Sequence, residues 1–210
     1  MSKNENRLTA PVALGIASTV RDILSPGCAR IGIGGSLRRR KQTVGDIEFV
    51  LIPKLERGPS TGQLFATEAS RPIFKIVDKL AATPNFTYGH ASKGDRYRKL
   101  IYGAGTIHEI GIDLFFTERE TWGNIFAIRT GSANFSRLLV TPRNGENPDA
   151  GGAMPVGWRQ QDAKLWNDRG EFVPCYEEAD FFRALGVPCW KPIDRSEATL
   201  RAFLRRAVAC

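Results

Sequence analysis

The first regular signal along the chain runs from Pro11 to Leu24, where small and apolar groups recur at helical spacing. Thr9 is a candidate N-cap and Pro26-Gly27 a stop signal, so this stretch predicts a short leading helix. Two strands follow. One is the run Ala29 to Gly34, closing in Gly34-Gly35, and the other is DIEFVLI, Asp46 to Ile52, bounded by Gly45 and Pro53. Between them lies the basic turn LRRRKQTV. A Pro- and Gly-rich loop covers Pro53 to Gly62. Leu64 to Leu80 then places Phe65, Ile73, Ile76, Val77 and Leu80 on roughly one helical face, with Pro72 near the helix's true start. Three further strands are predicted over Thr87–His90, Tyr97–Tyr102 and Ile107–Phe116, the last with Ile110, Ile112, Leu114 and Phe116 at period two.

From Trp122 the pattern becomes helical, in the pieces GNIFAIRT and ANFSRLLV. A loop, RNGENPDAGGAMP, and a mixed segment through Val173 come next. Glu177 to Leu185 predicts a short helix ending at Gly186, and RAFLRRAV a basic terminal helix. This division predicts a helical lead-in over 1–28, a strand-rich domain over 29–121 and a smaller subdomain over 122–210. The fold class expected is α+β, a mixed sheet with flanking helices followed by a small α+β unit.

Composition narrows the class. The chain has 210 residues, 42% of them hydrophobic, enough to bury a real core. Its 30 Lys and Arg against 22 Asp and Glu give a net charge of +8, which suits a polyanionic partner such as nucleic acid but does not identify one. Cys28, Cys175, Cys189 and Cys210 lie far apart, with no C-x-x-C pair, and read as free thiols in a reducing compartment. The first twenty residues lack the features of a signal peptide, and no apolar run approaches the roughly eighteen residues of a membrane span. A soluble intracellular protein, cytoplasmic and without a membrane partner, is expected.

Asp46 and Glu48 stand at i and i+2 of a strand, so their side chains leave the same face. Two carboxylates side by side repel unless a cation lies between them, and hard divalent ions take oxygen ligands of this kind. The alternative is a solvated strand end. Asp113 interrupts the apolar run from Ile110 to Phe116 with a charge that is costly to bury alone. If its strand lies beside DIEFVLI, three carboxylates gather, enough for two metals about 4 Å apart in phosphoryl transfer. Otherwise Asp113 forms a salt bridge to an arginine. Gly34-Gly35-Ser36, followed by Leu37, Arg38, Arg39 and Arg40, has the makings of a phosphate cradle. Glycine amides approach an anion closely, a serine hydroxyl donates to it, and arginine forks match its oxygens. Read separately, a G-G-S is usually a flexible turn and a basic run a solvated face.

GGSLRRRKQTVGDIEFVLI resembles the palm signature of family X DNA polymerases, in the polymerase-β-like nucleotidyltransferase superfamily. GIDLFF is similar to the strand carrying that family's third carboxylate. ETWGNIFAIRTGSANFSRLL resembles its T-G-S turn and following helix, and YEEADFFRALGVPCWKPIDRSE its C-terminal segment. The likeness spans roughly residues 30 to 197 in order, and the outline resembles the reduced palm-plus-thumb members known from large DNA viruses. It implies a palm over 29–121 and a thumb over 122–210. Asp46, Glu48 and Asp113 would bind two Mg²⁺ ions, with Mn²⁺ able to substitute. Gly35, Ser36, Arg39 and Gly45 would hold the triphosphate, and Thr130, Gly131 and Ser132 would lie near the incoming sugar. Arg38, Arg40, Lys41, Asn134, Ser136 and Arg137 would contact nucleic acid. The implied activity is DNA-directed DNA synthesis at a 3′-hydroxyl, in short gap filling or repair, by a monomer using primed or gapped DNA and nucleoside triphosphates.

Several positions depart from the family pattern. Glu48 stands for the second Asp of D-x-D, Ile128 and Arg129 replace aromatic residues before the T-G-S turn, and Ser136 replaces an asparagine. About thirty residues of this sequence precede the first palm strand, so the lyase domain of larger relatives is not expected within it. Two other readings remain: the same chemistry on a different acceptor, such as an RNA end, an untemplated 3′ end or a small molecule, and a non-catalytic nucleic-acid-binding protein. His90 and His108 have no ligand spacing and read as structural or surface residues. Trp158, Trp166 and Trp190 are expected to pack in a small core rather than stack on bases. For the terminal helix, a grip on DNA and an ordinary amphipathic face with Leu200, Phe203 and Leu204 inward are both open.

Overall fold

A computed structural model describes residues 7–56, 70–145, 147 and 149–208. Internal contacts gather the chain into two units: Met1–Gly32 with Thr43–Phe116, and Ile33–Gln42 with Thr117–Cys210. The basic turn following Gly34 thus belongs with the second unit, although the strands on either side of it lie in the first.

The first unit runs β1 (Leu8–Thr9), α1 (Ala10–Leu24), β2 (Cys28–Ile33), β3 (Thr43–Val44), β4 (Asp46–Pro53), α3 (Pro72–Ala81), β5 (Phe86–Lys93), β6 (Tyr97–Tyr102) and β7 (Ile110–Phe116). The short α2 (Gly35–Arg38) falls in the second unit. Helix α1 forms where the spacing predicts it. Pro11 stands in its first turn, where no amide donor is needed, and Ala13, Ala17, Val20 and Leu24 are its buried stripe. Thr9 is at the N-cap position but makes no side-chain cap. Helix α3 opens at Pro72 and buries Ile73, Val77 and Leu80. The predicted loop through Gly62 and the expected first turns at Leu64 and Phe65 lie partly or wholly outside the described residues.

Five strands make one mixed sheet in the order β2-β4-β7-β6-β5. β4 and β7 are parallel, while β6 is antiparallel to both β7 and β5. One face of this sheet carries Ile47, Phe49, Leu51, Leu100, Ile112 and Leu114, all with no solvent exposure. Phe74 of α3 sets its ring edge-on to Phe116 at 5.1 Å on that face, beneath the guanidinium of Arg98. β5 extends further than predicted and carries an irregularity between Tyr88 and Lys93. Ile107, expected in a strand, precedes β7 and is 81% exposed.

The second unit contains α2, α4 (Trp122–Ile128), α5 (Ala133–Leu139), β8 (Arg159–Gln161), β9 (Lys164–Trp166), β10 (Phe172–Val173), α6 (Glu178–Ala184) and α7 (Glu197–Val208). Its core is built from Phe135, Leu138, Leu139, Met154, Leu165, Phe181, Phe182, Leu185, Leu200 and Leu204. Trp158, Trp190 and Phe203 pack against this core, with Trp190 edge-on to Phe135, Phe182 and Phe203. The sheet β8-β9-β10 was only a mixed segment in the sequence pattern. Its strands are two or three residues long, too short to show period two. The β8–β9 turn, Asp162-Ala163, takes positive φ of 52° and 66° without the Asn-Gly that usually announces such a turn. Among the described residues no helix is long and apolar enough to cross a membrane.

Gly123 marks the tightest approach in this unit. A Cβ there would stand 2.1 Å from the Glu177 carbonyl oxygen and 2.9 Å from that of Cys175, which accepts the Gly123 amide at 2.7 Å. Gly123→Ala is expected to destabilise the protein by about 1–3 kcal/mol, the usual cost of overpacking, read as a lower midpoint in urea unfolding.

Candidate functional site

The first unit holds the carboxylates. In the parallel pairing of β4 with β7, Asp46 lies opposite Gly111 and Glu48 opposite Asp113. Because side chains alternate along a strand, Asp46, Glu48 and Asp113 all leave the sheet on the face opposite the Ile47–Phe49 core. Asp46 is exposed, Glu48 half-buried and Asp113 8% exposed. Asp113 Oδ1 accepts a hydrogen bond from the Tyr97 hydroxyl at 2.5 Å and lies 3.4 Å from Lys99 Nζ. The lone apolar-strand carboxylate therefore has partners, and they come from β6 rather than from an arginine.

A hard divalent ion is suited by an all-oxygen donor set, and three carboxylates on one face of adjacent strands offer one. As placed, however, no three His, Cys, Asp or Glu side chains among the described residues stand close enough together to hold an ion. The register brings the backbones of the three together; the side-chain oxygens are not gathered, and Asp113 turns Oδ1 to Tyr97 and Lys99. Gly45, expected to offer its amide to a phosphate, is exposed just ahead of β4.

The second unit holds the glycine–serine segment. A Cβ on Gly34 would stand 2.9 Å from the Arg129 carbonyl oxygen, and Gly35, at φ 59°, donates its amide to that oxygen at 2.7 Å. Only glycine meets both demands cheaply, so the pair fixes this turn against the residues before Thr130. The Ser36 side-chain oxygen is buried with no hydrogen-bond partner among the described residues. Arg39 donates to the carbonyls of Thr130 and Gly131, each at 2.7 Å. Arg40 takes a left-handed φ of 57° and is exposed, as is Lys41.

Arg38 was expected to touch nucleic acid, but it is committed internally. Its fork donates to Glu178 Oε1 at 2.7 Å and Oε2 at 2.6 Å, and also to the Thr130 hydroxyl at 2.6 Å. The Arg195 side chain, 1% exposed, donates to the same Glu178 at 2.5 Å and lies over the Phe182 ring. Burial alone would raise the Glu178 pKa, yet the hydrogen bonds and charges of Arg38 and Arg195 outweigh it and hold the carboxyl below its ordinary value. Glu178 and Arg195 were not singled out from sequence as a pair, and their separation of 17 residues gives no periodic signal.

The T-G-S turn is equally constrained. Thr130 is fully buried, a Cβ on Gly131 would stand 2.5 Å from Ser136 Oγ, and Ser132 caps α5 by accepting from the Phe135 amide. Ser136 donates to the Ile128 carbonyl at 2.5 Å and Asn134 to Glu197 at 2.6 Å, while Arg137 is exposed. His90 and His108 are exposed. Burial pushes the thiols of Cys28 and Cys175 up to about 11 and about 12, so both are poor nucleophiles.

Glu178→Gln leaves the buried Arg195 charge uncompensated, and a loss of about 3–5 kcal/mol is expected. The pH dependence has a definite sign. A carboxyl held below its ordinary value of 4.5 stabilises the fold fully above that pH, and the contribution fades as pH falls through the lowered value. Urea midpoints of the two proteins measured from pH 7 to 3 should differ most at pH 7 and converge in acid.

Compared with family models and with curated proteins, the chain gives no match.

Proposed function

We propose that this chain is a divalent-metal-dependent nucleotidyltransferase of the family X DNA polymerase type, a palm followed by a thumb, that extends a DNA 3′-hydroxyl with nucleoside triphosphates. The observation that carries the reading is the β4–β7 register, which sets Glu48 abreast of Asp113 and Asp46 on the same face. Like charges in neighbouring positions are destabilising in a sheet, and a divalent cation held among them would offset that repulsion. The resemblance described above supplies the reaction class; the register supports it, because it makes neighbours of carboxylates 65 residues apart in the chain.

Asp46, Glu48 and Asp113 would hold two Mg²⁺ ions, which supply acidity at the 3′-hydroxyl and neutralise charge on the triphosphate. The 3′-oxygen would give its proton to solvent and bond the α-phosphorus, while the bond from that phosphorus to the oxygen shared with the β-phosphate would break and release pyrophosphate. In the second unit, Ser36 supports a phosphate role. A buried hydroxyl without a partner costs free energy unless a ligand oxygen accepts from it.

A second reading, the same chemistry without a template, is favoured by one observation. Asn134 and Ser136, which the resemblance would place at the nascent base pair, donate to Glu197 and to the Ile128 carbonyl instead. Extension of a one-nucleotide gap, a primed overhang and a bare single strand separates the two; equal extension of all three supports the untemplated reading.

Asp113→Asn is expected to lower Mg²⁺-dependent incorporation roughly a thousandfold, the scale of several kcal/mol of lost metal-borne charge stabilisation, with an unchanged circular dichroism spectrum. Retention of full activity by this variant would refute the proposal. Chelation of divalent ions should abolish incorporation by the parent protein, and added Mn²⁺ should restore it.

A further inference from the structure

The antiparallel register of β6 with β7 sets Lys99 opposite Asp113 and Tyr97 opposite Phe115, so both β6 side chains share the carboxylate face. Arg98, between them, leaves the other face and is used there, against Asp78 at 3.1 Å and over the Phe74 ring. Lys99 runs between two glycines on the neighbouring strands. A Cβ on Gly89 would come within 3.1 Å of Lys99 Cγ, and one on Gly111 within 3.1 Å of Cε and 3.3 Å of Nζ. A side chain at either glycine would press on the lysine, which would have to give by a few tenths of an ångström. The Tyr97 ring is braced against Phe115 at 5.2 Å, which aims its hydroxyl back along the strand at Asp113.

Both donors reach the same oxygen, Oδ1 of Asp113, at 2.5 Å and 3.4 Å. The terminal torsion of an aspartate is broad and roughly two-fold, so an ungripped carboxylate samples many orientations. A short charge-assisted hydrogen bond combined with an ammonium removes that freedom before any ligand arrives. We infer that Tyr97 and Lys99 are positioning residues that grip Oδ1 of Asp113 and leave Oδ2 as the oxygen a divalent cation takes. This rests on the reading of Asp113 as a metal ligand. Neither residue touches substrate; each acts through the carboxylate.

The test uses the full chain as Tyr97→Phe, Lys99→Met and Lys99→Arg, with Tyr102→Phe on the opposite face of the same strand as control and Asp113→Asn as reference. Two quantities are read: Mn²⁺ binding by calorimetry, and kcat with the nucleotide KM for single incorporation. Tyr97→Phe and Lys99→Met should each weaken Mn²⁺ binding and lower kcat by about 10- to 100-fold, the effect of removing a partner of a metal ligand, with the nucleotide KM moving less than about twofold. Lys99→Arg should recover most of the loss, and Tyr102→Phe should match the parent. A purely structural role would move stability and leave the Mn²⁺ affinity alone. If Tyr97→Phe and Lys99→Met bind Mn²⁺ and turn over like the parent while Asp113→Asn is inactive, the positioning role is overturned and the metal reading stands. If Lys99→Met binds Mn²⁺ more tightly, the lysine is a competing charge and its positioning role is overturned. If Asp113→Asn itself matches the parent in both measurements, the metal reading and the positioning role fall together.

Discussion

Three carboxylates leaving one face of two hydrogen-bonded strands set the terms for the first unit. Strands in a sheet lie about 4.8 Å apart, so carboxylates at facing positions repel unless their side chains diverge or a counter-charge lies beside them. The sheet answers with positive charge and hydrogen-bond donors on the next strand, where Lys99 and Tyr97 reach Asp113. Register enforces the whole arrangement. A slip of one residue in β7 would send Asp113 into the Ile47–Phe49 core and bring Ile112 and Leu114 out to the polar face. The apolar face therefore specifies the side of the sheet on which the charges stand, and β6 supplies the partners of Asp113 there.

A different carboxylate organises the second unit. Glu178 takes both arms of the Arg38 fork and one N–H of Arg195 and, through Arg38, is joined to the hydroxyl of buried Thr130. It joins the glycine–serine segment, the T-G-S turn, the start of α6 and the stretch before α7, elements up to 157 residues apart in sequence from Arg38 to Arg195. Arginine suits this work because its rigid fork satisfies both carboxylate oxygens at once and its flat face packs on aromatic rings, as Arg38 does on Phe126 and Arg195 on Phe182. The same residues that look like a basic surface run in the sequence are thus divided by structure: Arg38 and Arg39 turn inward, while Arg40 and Lys41 remain exposed.

Much of the architecture was legible in local pattern. Helices α1 and α3, strands β4, β6 and β7, and the helical character after Trp122 all follow from periodicity, proline and glycine. These signals act within a few residues and survive without tertiary context. The three-stranded sheet was not legible because two- and three-residue strands carry no period and their hairpin uses Asp162-Ala163. The carboxylate positions could be named as candidates because a charge inside an apolar strand is visible in one dimension. Their partners could not, since Tyr97 and Lys99 are ordinary residues of a strand until the register of β6 is known.

By itself the sequence determined the α+β class, the faces of the principal strands and the presence of an acidic trio and a glycine–serine turn, because alternation and backbone chemistry are properties of neighbouring residues. Tertiary structure alone decided which charges meet. Glu48 lies beside Asp113, Asp113 turns to Lys99 and Tyr97, and Arg38 closes on Glu178, because pairing across 65 or 140 residues depends on strand order, register and core packing, which no local signal encodes.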